Sequence, residues 1–433
     1  MRTRVLSCAG AVLVLLPALT PDTARSQKPS HPHQAIVEDQ VVAGGPKDFL
    51  EVRRVVLKGS NEAIGHALAV LARERFGARP LPNPEPFRGR VQRRYIQKNF
   101  PILFERMRGV ASAFGDKLDN DALNFTGLFY PTGPFAPGCS VVYLPPAVTA
   151  TGTGIISRNY DFTTGSFRGT RPKAGELPCT ARPYLIELHP EGGYSSIALV
   201  SYDLLSGVLD GMNSEGLTVA LLADDELNSK FKMEPAGMDA VGLGVLQMQR
   251  LLLDTCATVE EAKEALLLTK QCYEVIPVHY LVADRHGKAF VWEYSQAHNR
   301  EYIIENPGKP LVTTNFSLHR YLEGTSPPSA AAAKKVCPRY SKLCEKLASG
   351  GDNLTPELLK ETHRLVDATL TPPKDSPRAA GRTLWHALYA PAEGKLQVSF
   401  YLRDEPDGKG SGRPRIVRSD YLEYTLKRGK AAK

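Results

Sequence analysis

A single cysteine stands where a segment rich in turn-forming residues gives way to an apolar run. Cys139 lies in APGCSVVYL, and residues 130–138 before it contain three prolines and two glycines. A cysteine reacts as its thiolate, which a nearby cation favours. The next apolar run, ISRNYDF, contains an arginine and an aspartate three residues apart, Arg158 and Asp161. Cysteine, arginine and aspartate in this order could form a nucleophilic site.

Such a site requires a base, and the chain can provide one at Cys139 itself. If the Gly138–Cys139 peptide bond is cleaved, Cys139 gains a free α-amino group with a pKa of about 7.7–8.0. That value suits a general base near neutral pH. The thiol could make the cut by attacking the carbonyl carbon of Gly138, forming a thioester that water hydrolyses. A hairpin of the two runs would return Arg158 to favour the thiolate and Asp161 to hold the α-ammonium group or the thiol.

Simpler interpretations of the same residues stay open. A small cysteine at the start of a strand is often an inert part of the core, and Arg158 with Asp161 could be a surface salt bridge. Cys139 could instead serve a papain-like protease with His279 or His386, although neither histidine lies in a sequence typical of that family. The chain could also be a binding module without catalysis.

The elements that would position this site form a layered pattern. Residues 49–60 predict a strand, and residues 60–77 predict a helix that is capped by Ser60 or Asn61 and ends at Gly77. Beyond Cys139, strands with turns are followed by two helices and two hairpins, at 240–256, 258–272, 278–295 and 381–404. Strands, then helices, then strands indicate an α+β fold rather than alternating βαβ units.

Composition narrows the class of protein. A chain of 433 residues with 42% hydrophobic residues can bury a large core, in one big domain or two ordinary ones. The net charge is +8, but the basic residues are scattered except in the tail LKRGKAAK. We therefore expect no nucleic-acid partner. An anionic substrate, or weak contact with a membrane or lipid surface, stays open.

The N-terminus predicts export. Residues 1–26 have two arginines, a short apolar run and a polar end, which is the pattern of a signal peptide. The mature protein is then secreted or periplasmic, and its six cysteines could all pair. Cys337 and Cys344 lie on a predicted helix, about 10 Å apart, too far for a disulfide with each other. The sequence has no zinc-ligand spacing, so we expect no metal and no cofactor.

Several motifs resemble those of one superfamily. In chain order they are GCSVV, ISRNYDF, DGMNSEGLTVALL, LVTTNFS and CPRYSKL. Together they resemble the N-terminal nucleophile (Ntn) cysteine hydrolases, which include choloylglycine hydrolases, penicillin V acylases, acid ceramidase-like amidases and isopenicillin N acyltransferase-like enzymes. The resemblance spans Leu57 to Phe400. It implies a four-layer αββα sandwich, in which two antiparallel sheets lie between helices.

The resemblance also implies roles for individual residues. Cys139 would be the nucleophile, and Arg158 and Asp161 would orient and activate it. Asn315 would help to stabilise the oxyanion, although it could simply cap a turn. Arg339 would support the thiolate or Asp161, with Arg320 as the competing arginine. Substrate contacts would come from Asn159, Tyr160 and Phe162.

Cleavage between Gly138 and Cys139 would divide the chain into a propeptide segment, 27–138, and a catalytic region, 139–433. The two processed chains should stay associated. The long first segment favours the branches of the superfamily with a large propeptide. One departure concerns the asparagine that bile-salt and penicillin V enzymes carry after the G-M-N motif, because Ala223 and Asp224 stand there instead.

The function predicted from these features is a secreted, self-cleaving amidase. It would hydrolyse the linear amide bond of a small N-acyl substrate through a thioester on Cys139. Two alternatives remain: an acyltransferase that passes the acyl group to an amine, and a non-catalytic protein that kept the fold.

Overall fold

The computed structural model describes residues 35–129, 138–165, 170–173, 177–178, 180–225, 240–272, 277–295, 297–407 and 414–428. The predicted signal peptide, the segment 130–137 and Cys179 lie outside the described residues.

The strands are β1 (Ile36–Gly44), β2 (Glu51–Gly59), β3 (Leu81–Pro82), β4 (Leu123–Asn124), β5 (Gly138–Leu144), β6 (Ile155–Thr163), β7 (Tyr184–Pro190), β8 (Ser196–Val200), β9 (Val208–Asn213), β10 (Thr218–Ala223), β11 (Leu243–Gly244), β12 (Gln271–Cys272), β13 (Val278–Ala283), β14 (Ala289–Ser295), β15 (Arg300–Ile304), β16 (Leu311–Thr313), β17 (Gly381–Ala390), β18 (Lys395–Glu405), β19 (Arg415–Arg418) and β20 (Leu422–Thr425). The helices are α1 (Asn61–Phe76), α2 (Pro86–Asn99), α3 (Pro101–Ala113), α4 (Val245–Thr255), α5 (Val259–Leu268), α6 (Ala330–Ala333), α7 (Pro338–Ser349) and α8 (Pro356–Arg364).

Two large sheets dominate the structure. The first has nine strands in the order β1-β2-β7-β8-β9-β10-β13-β14-β15. The second has seven, in the order β16-β5-β6-β17-β18-β19, with β20 also paired to β18. Neighbouring strands are antiparallel, except that β2 and β7 run parallel. The hairpins predicted at 278–295 and 381–404 are confirmed as β13–β14 and β17–β18.

The alternation of side chains along the strands builds four layers. On β7, Leu185 packs into the core shared with the second sheet, whereas Tyr184 and Ile186 pack into the core beneath the helices. Helices α1, α3 and α4 cover that outer face of the first sheet, and α7 and α8 cover the second sheet. The predicted αββα sandwich is therefore confirmed.

Helix α1 shows why the sequence predicts its ends correctly. The Ser60 hydroxyl accepts a hydrogen bond from the backbone N–H of Ala63 at 3.2 Å, and satisfies a free donor of the first turn. Gly77 ends the helix with a φ of +64°, a left-handed conformation that costs glycine little. The predicted helix 60–77 is confirmed.

The segment before Cys139 is part of the same body as the segment after it. Strand β2 pairs with β7 over seven residue pairs, from Arg53 with Tyr184 to Gly59 with Pro190. Helices α1 and α3 pack their apolar side chains into the core of the first sheet. Cleavage before Cys139 remains a prediction, but a cut there would leave this sheet intact.

Each helix in the described part of the chain is too short or too polar to cross a membrane. Among the described cysteines, four are free thiols, so the possibility that all six mature cysteines pair is not realised; these are Cys139, Cys256, Cys337 and Cys344.

Candidate active site

Cys139 lies at the start of the β5–β6 hairpin, which brings the predicted residues together. Cys139 pairs with Tyr160, and Val141 pairs with Arg158, so all four side chains lie on one face of the second sheet. That face is the one buried against the first sheet. Arg158 Nη2 lies 3.7 Å from Cys139 Sγ and can donate to it. The hairpin therefore sets an arginine beside the cysteine.

Arg158 is held by the opposite sheet. Its Nη1 donates to Asp210 Oδ1 on β9 at 2.5 Å, and its Nη2 donates to the carbonyl of Leu221 at 2.7 Å. Asp210 also accepts from Trp385 Nε1 and from the Tyr389 hydroxyl. The side chains of Arg158 and Asp210 are fully buried. The interpretation of Arg158 and Asp161 as a surface salt bridge is therefore wrong.

Asp161 lies on the other face of β6. Its Oδ1 accepts from the Thr383 hydroxyl at 2.6 Å, and its Oδ2 accepts from Arg339 Nη1 at 3.1 Å. Gly138 lies directly opposite Asp161 in the hairpin. A Cβ on Gly138 would lie 3.1 Å from the Cβ of Asp161, a contact tight enough to force a shift. Glycine therefore lets the backbone before Cys139 pass close to this carboxyl group.

Asn315 contacts the backbone of Cys139. Its Oδ1 accepts from the backbone N–H of Cys139 at 2.6 Å and from Arg339 Nη2 at 2.7 Å. Its Nδ2 donates to the carbonyl of Ala223 at 2.8 Å. A carboxamide nitrogen carries two hydrogens, so one N–H remains for another acceptor. The side-chain amide of Asn315 thus accepts a hydrogen bond from the Cys139 nitrogen and has one N–H group left to donate to a substrate.

Arg339 ties the predicted residues together. Besides Asp161 and Asn315, it donates from Nη1 to the carbonyl oxygen of Cys139 at 3.1 Å. Arg339 lies on α7, which packs against β16 and so reaches the start of β5. The competing residue, Arg320, is exposed in the short helical turn Leu318–Tyr321. The structure therefore places Arg339, and not Arg320, at Cys139.

Burial sets the protonation states in the intact chain. It raises the pKa of the Cys139 thiol to about 11, although the charge of Arg158 opposes the shift. Burial also raises the pKa of Asp161 to about 6, against the opposing effects of Arg339 and Thr383. The thiol is therefore protonated near neutral pH, and a reaction at Cys139 needs a base.

The three residues predicted to contact substrate fall on two faces of β6. Tyr160 and Phe162 stack with ring centroids 5.8 Å apart on the face of Cys139. Tyr202 meets Tyr160 through a hydroxyl–hydroxyl hydrogen bond. Asn159 points to the other face, where its Nδ2 donates to Asp367 Oδ1 at 2.9 Å. Of the three, the two aromatic residues therefore share the face of Cys139, and substrate contact by any of them stays a prediction.

The histidines of the papain-like alternative are engaged elsewhere. His279 contacts Glu293 and the carbonyl of Thr314 through its two ring nitrogens. His386 contacts the Ser157 hydroxyl at 2.8 Å and the Tyr421 hydroxyl at 2.6 Å. Both imidazoles thus have partners other than Cys139, and the geometry gives that alternative no support.

Sequence reasoning missed two residues that hold the site. Asp210 is the aspartate of the motif DGMN, so the sequence shows a charged residue there. The sequence does not show that its partner is Arg158. Thr383 holds Asp161 from β17, more than 200 positions away, and nothing in its surroundings marks it. Asn213 itself is structural, because it caps its own turn and donates to the carbonyls of Leu253 and Cys256.

One group of buried residues near the site has metal-ligand chemistry. Ligand atoms of Asp224, His279 and Glu293 lie within 4.8 Å of one another. His279 Nδ1 already lies 3.0 Å from Glu293 Oε1, and its Nε2 lies 2.6 Å from the Thr314 carbonyl. These contacts describe a hydrogen-bonded ion cluster. Asp224, at the position of the missing asparagine, accepts a hydrogen bond from the Ser317 hydroxyl.

Comparison with known proteins adds a family. The family described as acyl-coenzyme A:6-aminopenicillanic acid acyl-transferase matches residues 149–404, a range that begins after Cys139 and includes Arg158, Asp161, Asn315 and Arg339. A search of curated proteins gave no match.

Two solved structures are similar to the chain. A mutant of the conjugated bile acid hydrolase from Clostridium perfringens is 14% identical, with a TM-score of 0.41, covering 67% of this chain and 97% of that one. The penicillin V acylase from Agrobacterium tumefaciens is 16% identical, with a TM-score of 0.40, covering 65% of this chain and 86% of that one.

Proposed function

The chain belongs to the acyl-coenzyme A:6-aminopenicillanic acid acyl-transferase family of Ntn hydrolases, and from this premise we propose a secreted, self-cleaving cysteine amidase. Its family makes it an enzyme of the acylase or amidase type. The proposed reaction is hydrolysis of the linear amide bond of a small N-acyl substrate, with Cys139 as nucleophile.

The observation that carries the proposal is that polar groups engage Cys139 on three sides. Its nitrogen donates to Asn315, its carbonyl accepts from Arg339, and its sulfur lies 3.7 Å from Arg158. An inert core cysteine needs apolar neighbours only. The buried guanidinium group of Arg158 lies close enough to stabilise a thiolate that forms during a reaction.

The first reaction is self-cleavage. The Cys139 thiol loses its proton and attacks the carbonyl carbon of Gly138, and the C–N bond to Cys139 breaks as the C–S bond forms. The nitrogen of Cys139 takes up a proton and becomes a free amine. Water then hydrolyses the thioester, which leaves a carboxylate on Gly138 and returns the thiol. Asp161 and Arg339, which lie beside this bond, would orient it.

The second reaction is turnover on substrate. The α-amine takes the thiol proton, and the thiolate attacks the carbonyl carbon of the N-acyl group. The free N–H of Asn315 would donate to the oxyanion, and one such donor contributes about 2.7–4 kcal/mol. The leaving amine takes the proton back from the α-ammonium group. Water releases the acyl group as a carboxylic acid.

The acyl group would lie against Tyr160 and Phe162, whose stacked rings suit an apolar or aromatic acyl group. Passage of the acyl group to an amine instead of water would make the enzyme an acyltransferase, the second candidate, which the family description favours. The signal-peptide pattern of residues 1–26 supports a secreted or periplasmic location.

The test is the intact mass of purified protein. Wild-type protein should give two associated fragments cut before Cys139, and Cys139→Ala should remain one chain. Cys256→Ala is the matched control, because Cys256 is also a buried free thiol but lies at the end of α4. It should process as the wild type does. Two fragments from Cys139→Ala, or an uncut wild type, would refute self-cleavage.

A further inference from the structure

A buried ion cluster lies behind the loop that carries Asn315. The loop comprises residues 314–319 and is called the Asn315 loop below. Glu293, on β14, accepts the backbone N–H groups of Leu318 and His319 at 2.8 and 2.9 Å. It also accepts a hydrogen bond from Nδ1 of the His319 ring at 2.7 Å. One buried carboxylate therefore holds the far end of the Asn315 loop.

His279, on β13, holds the near end. Its Nε2 lies 2.6 Å from the carbonyl oxygen of Thr314, the residue before Asn315. Its Nδ1 lies 3.0 Å from Glu293 Oε1. A carbonyl oxygen can only accept, and Glu293, which already accepts three N–H groups, is a carboxylate. Both ring nitrogens of His279 must therefore carry hydrogen, which makes the ring an imidazolium.

The middle of the loop is fixed by the two residues that follow β10, Asp224 and Asp225. The backbone N–H of Asp225 donates to the carbonyl of Asn315 at 2.7 Å. Ser317 donates from its backbone N–H to Asp225 Oδ1 at 3.1 Å and from its hydroxyl to Asp224. These contacts leave Asn315 as the residue whose side chain points to Cys139, with Oδ1 on the Cys139 nitrogen.

We propose that His279 and Glu293 are positioning residues that set Asn315 against Cys139 through a buried imidazolium–carboxylate pair. The inference rests on the proposed function, since it assigns the purpose of the pair to the site at Cys139. His279 and Glu293 hydrogen-bond to each other and to the Asn315 loop. They therefore act on the site through the backbone of that loop.

The charges around His279 give the direction of a pH effect. Asp224 and Glu293 face its ring, and His319 lies on the far side of Glu293. Burial lowers the pKa of His279, but the Glu293 hydrogen bond and the charge of Asp224 outweigh it, so the net shift is upward. The pair thus stabilises the loop below the raised pKa and is lost as pH rises through it. Activity should fall on the alkaline side for this reason.

The first test does not depend on activity. Cys139→Ala protein, which should stay uncut, is labelled with ¹⁵N at histidine and its ring nitrogens are followed by NMR as pH rises. His279, assigned by its loss in Cys139→Ala/His279→Gln, should keep both ring protons at a pH where an ordinary histidine, with a pKa of about 6.5, has lost one. A ring with one proton at that pH would overturn the inference, whatever the fate of self-cleavage.

The second test measures the positioning effect. His279→Gln and Glu293→Gln should each lower kcat roughly tenfold to a hundredfold, because a displacement of about 1 Å in a reacting group has that cost. KM should change little, and the alkaline limb of the kcat profile should be lost in His279→Gln. The matched control is His189→Gln, which removes another histidine–glutamate pair, with Glu187, on β7.

The outcomes separate the two proposals. His279→Gln protein that is folded by circular dichroism and turns over at the wild-type rate would overturn the positioning role. A wild type that neither cleaves itself nor turns over amides would refute the proposed function, and the ring protons of His279 would then report only a structural ion pair.

Discussion

Asp210→Asn is the sharpest test of how Arg158 acts on Cys139. The substitution keeps the volume of the side chain and removes its charge, so the fully buried Arg158 loses its partner. Breaking a buried pair by removing one charge typically costs about 3–5 kcal/mol of stability. Arg158 would also lose the contact that aims its guanidinium group at the thiol.

The size of the catalytic effect follows from a distance. At the observed 3.7 Å between Arg158 Nη2 and Cys139 Sγ, an effective dielectric constant of about 20 gives an attraction of roughly 4.5 kcal/mol for a thiolate. A retreat of about 2 Å would reduce it to roughly 3 kcal/mol. The difference of about 1.5 kcal/mol corresponds to a little more than one pKa unit, or about a tenfold loss of thiolate.

The assay separates stability from reactivity. Arg106 and Asp254 form a second fully buried pair, at 2.6 Å, between helices α3 and α4. Asp254→Asn should lower the urea midpoint at least as much as Asp210→Asn does, because Asp254 also pairs with the buried Arg250. Only Asp210→Asn should slow self-cleavage, which is measured by intact mass without urea. Only Asp210→Asn should also raise the pH at which Cys139 becomes reactive toward an alkylating agent.

One result would refute the reasoning. If folded Asp210→Asn cleaves itself and is alkylated with the wild-type pH dependence, Arg158 does not stabilise the thiolate from its position on Asp210. Equal slowing by Asp254→Asn would also count against it, because the effect would then reflect stability alone.

Two further predictions concern Asp161 and Asn315. Because burial raises the pKa of Asp161 to about 6, its ionisation costs up to about 3 kcal/mol of stability as pH rises from about 4 to 6. Asp161→Asn should lack this pH-dependent loss and should slow self-cleavage. The same fall of the urea midpoint between pH 4 and 6 in both proteins would contradict the shift. Asn315→Ala in processed protein should lower kcat by roughly a hundredfold with little change in KM; steady-state kinetics within a few-fold of wild type would show that its remaining N–H does not serve the oxyanion.

The sequence predicts the local part of the site well. The order of strand, turn and strand at 138–163 is enough to predict a hairpin, and a hairpin brings Arg158 to Cys139. The same strand period could have predicted more. Arg158 and Asp161 are three residues apart, so they must point to opposite faces of β6. A salt bridge between them, one of the open interpretations, was therefore incompatible with the strand.

The long-range part could not be predicted in this way. Asp210 reaches Arg158 only because the two sheets pack face to face, and sequence periodicity does not set which residues oppose each other across that interface. The Asn315 loop raises the same difficulty. Glu293 and His279 look like ordinary members of β14 and β13, and their charges have meaning only beside the loop that they hold.

The arrangement around Cys139 in the intact chain is already the one that turnover would use. Asn315, Arg339 and Arg158 all lie after Gly138 in the chain, so a cut at Gly138–Cys139 removes none of them. The nitrogen that now donates to Asn315 as an amide would donate to it as an amine. On the other side of the cut, strand β2 keeps its seven pairs with β7. Cleavage would therefore create the base without moving the nucleophile, so the fold would be assembled before the proposed cut and would keep the same site after it.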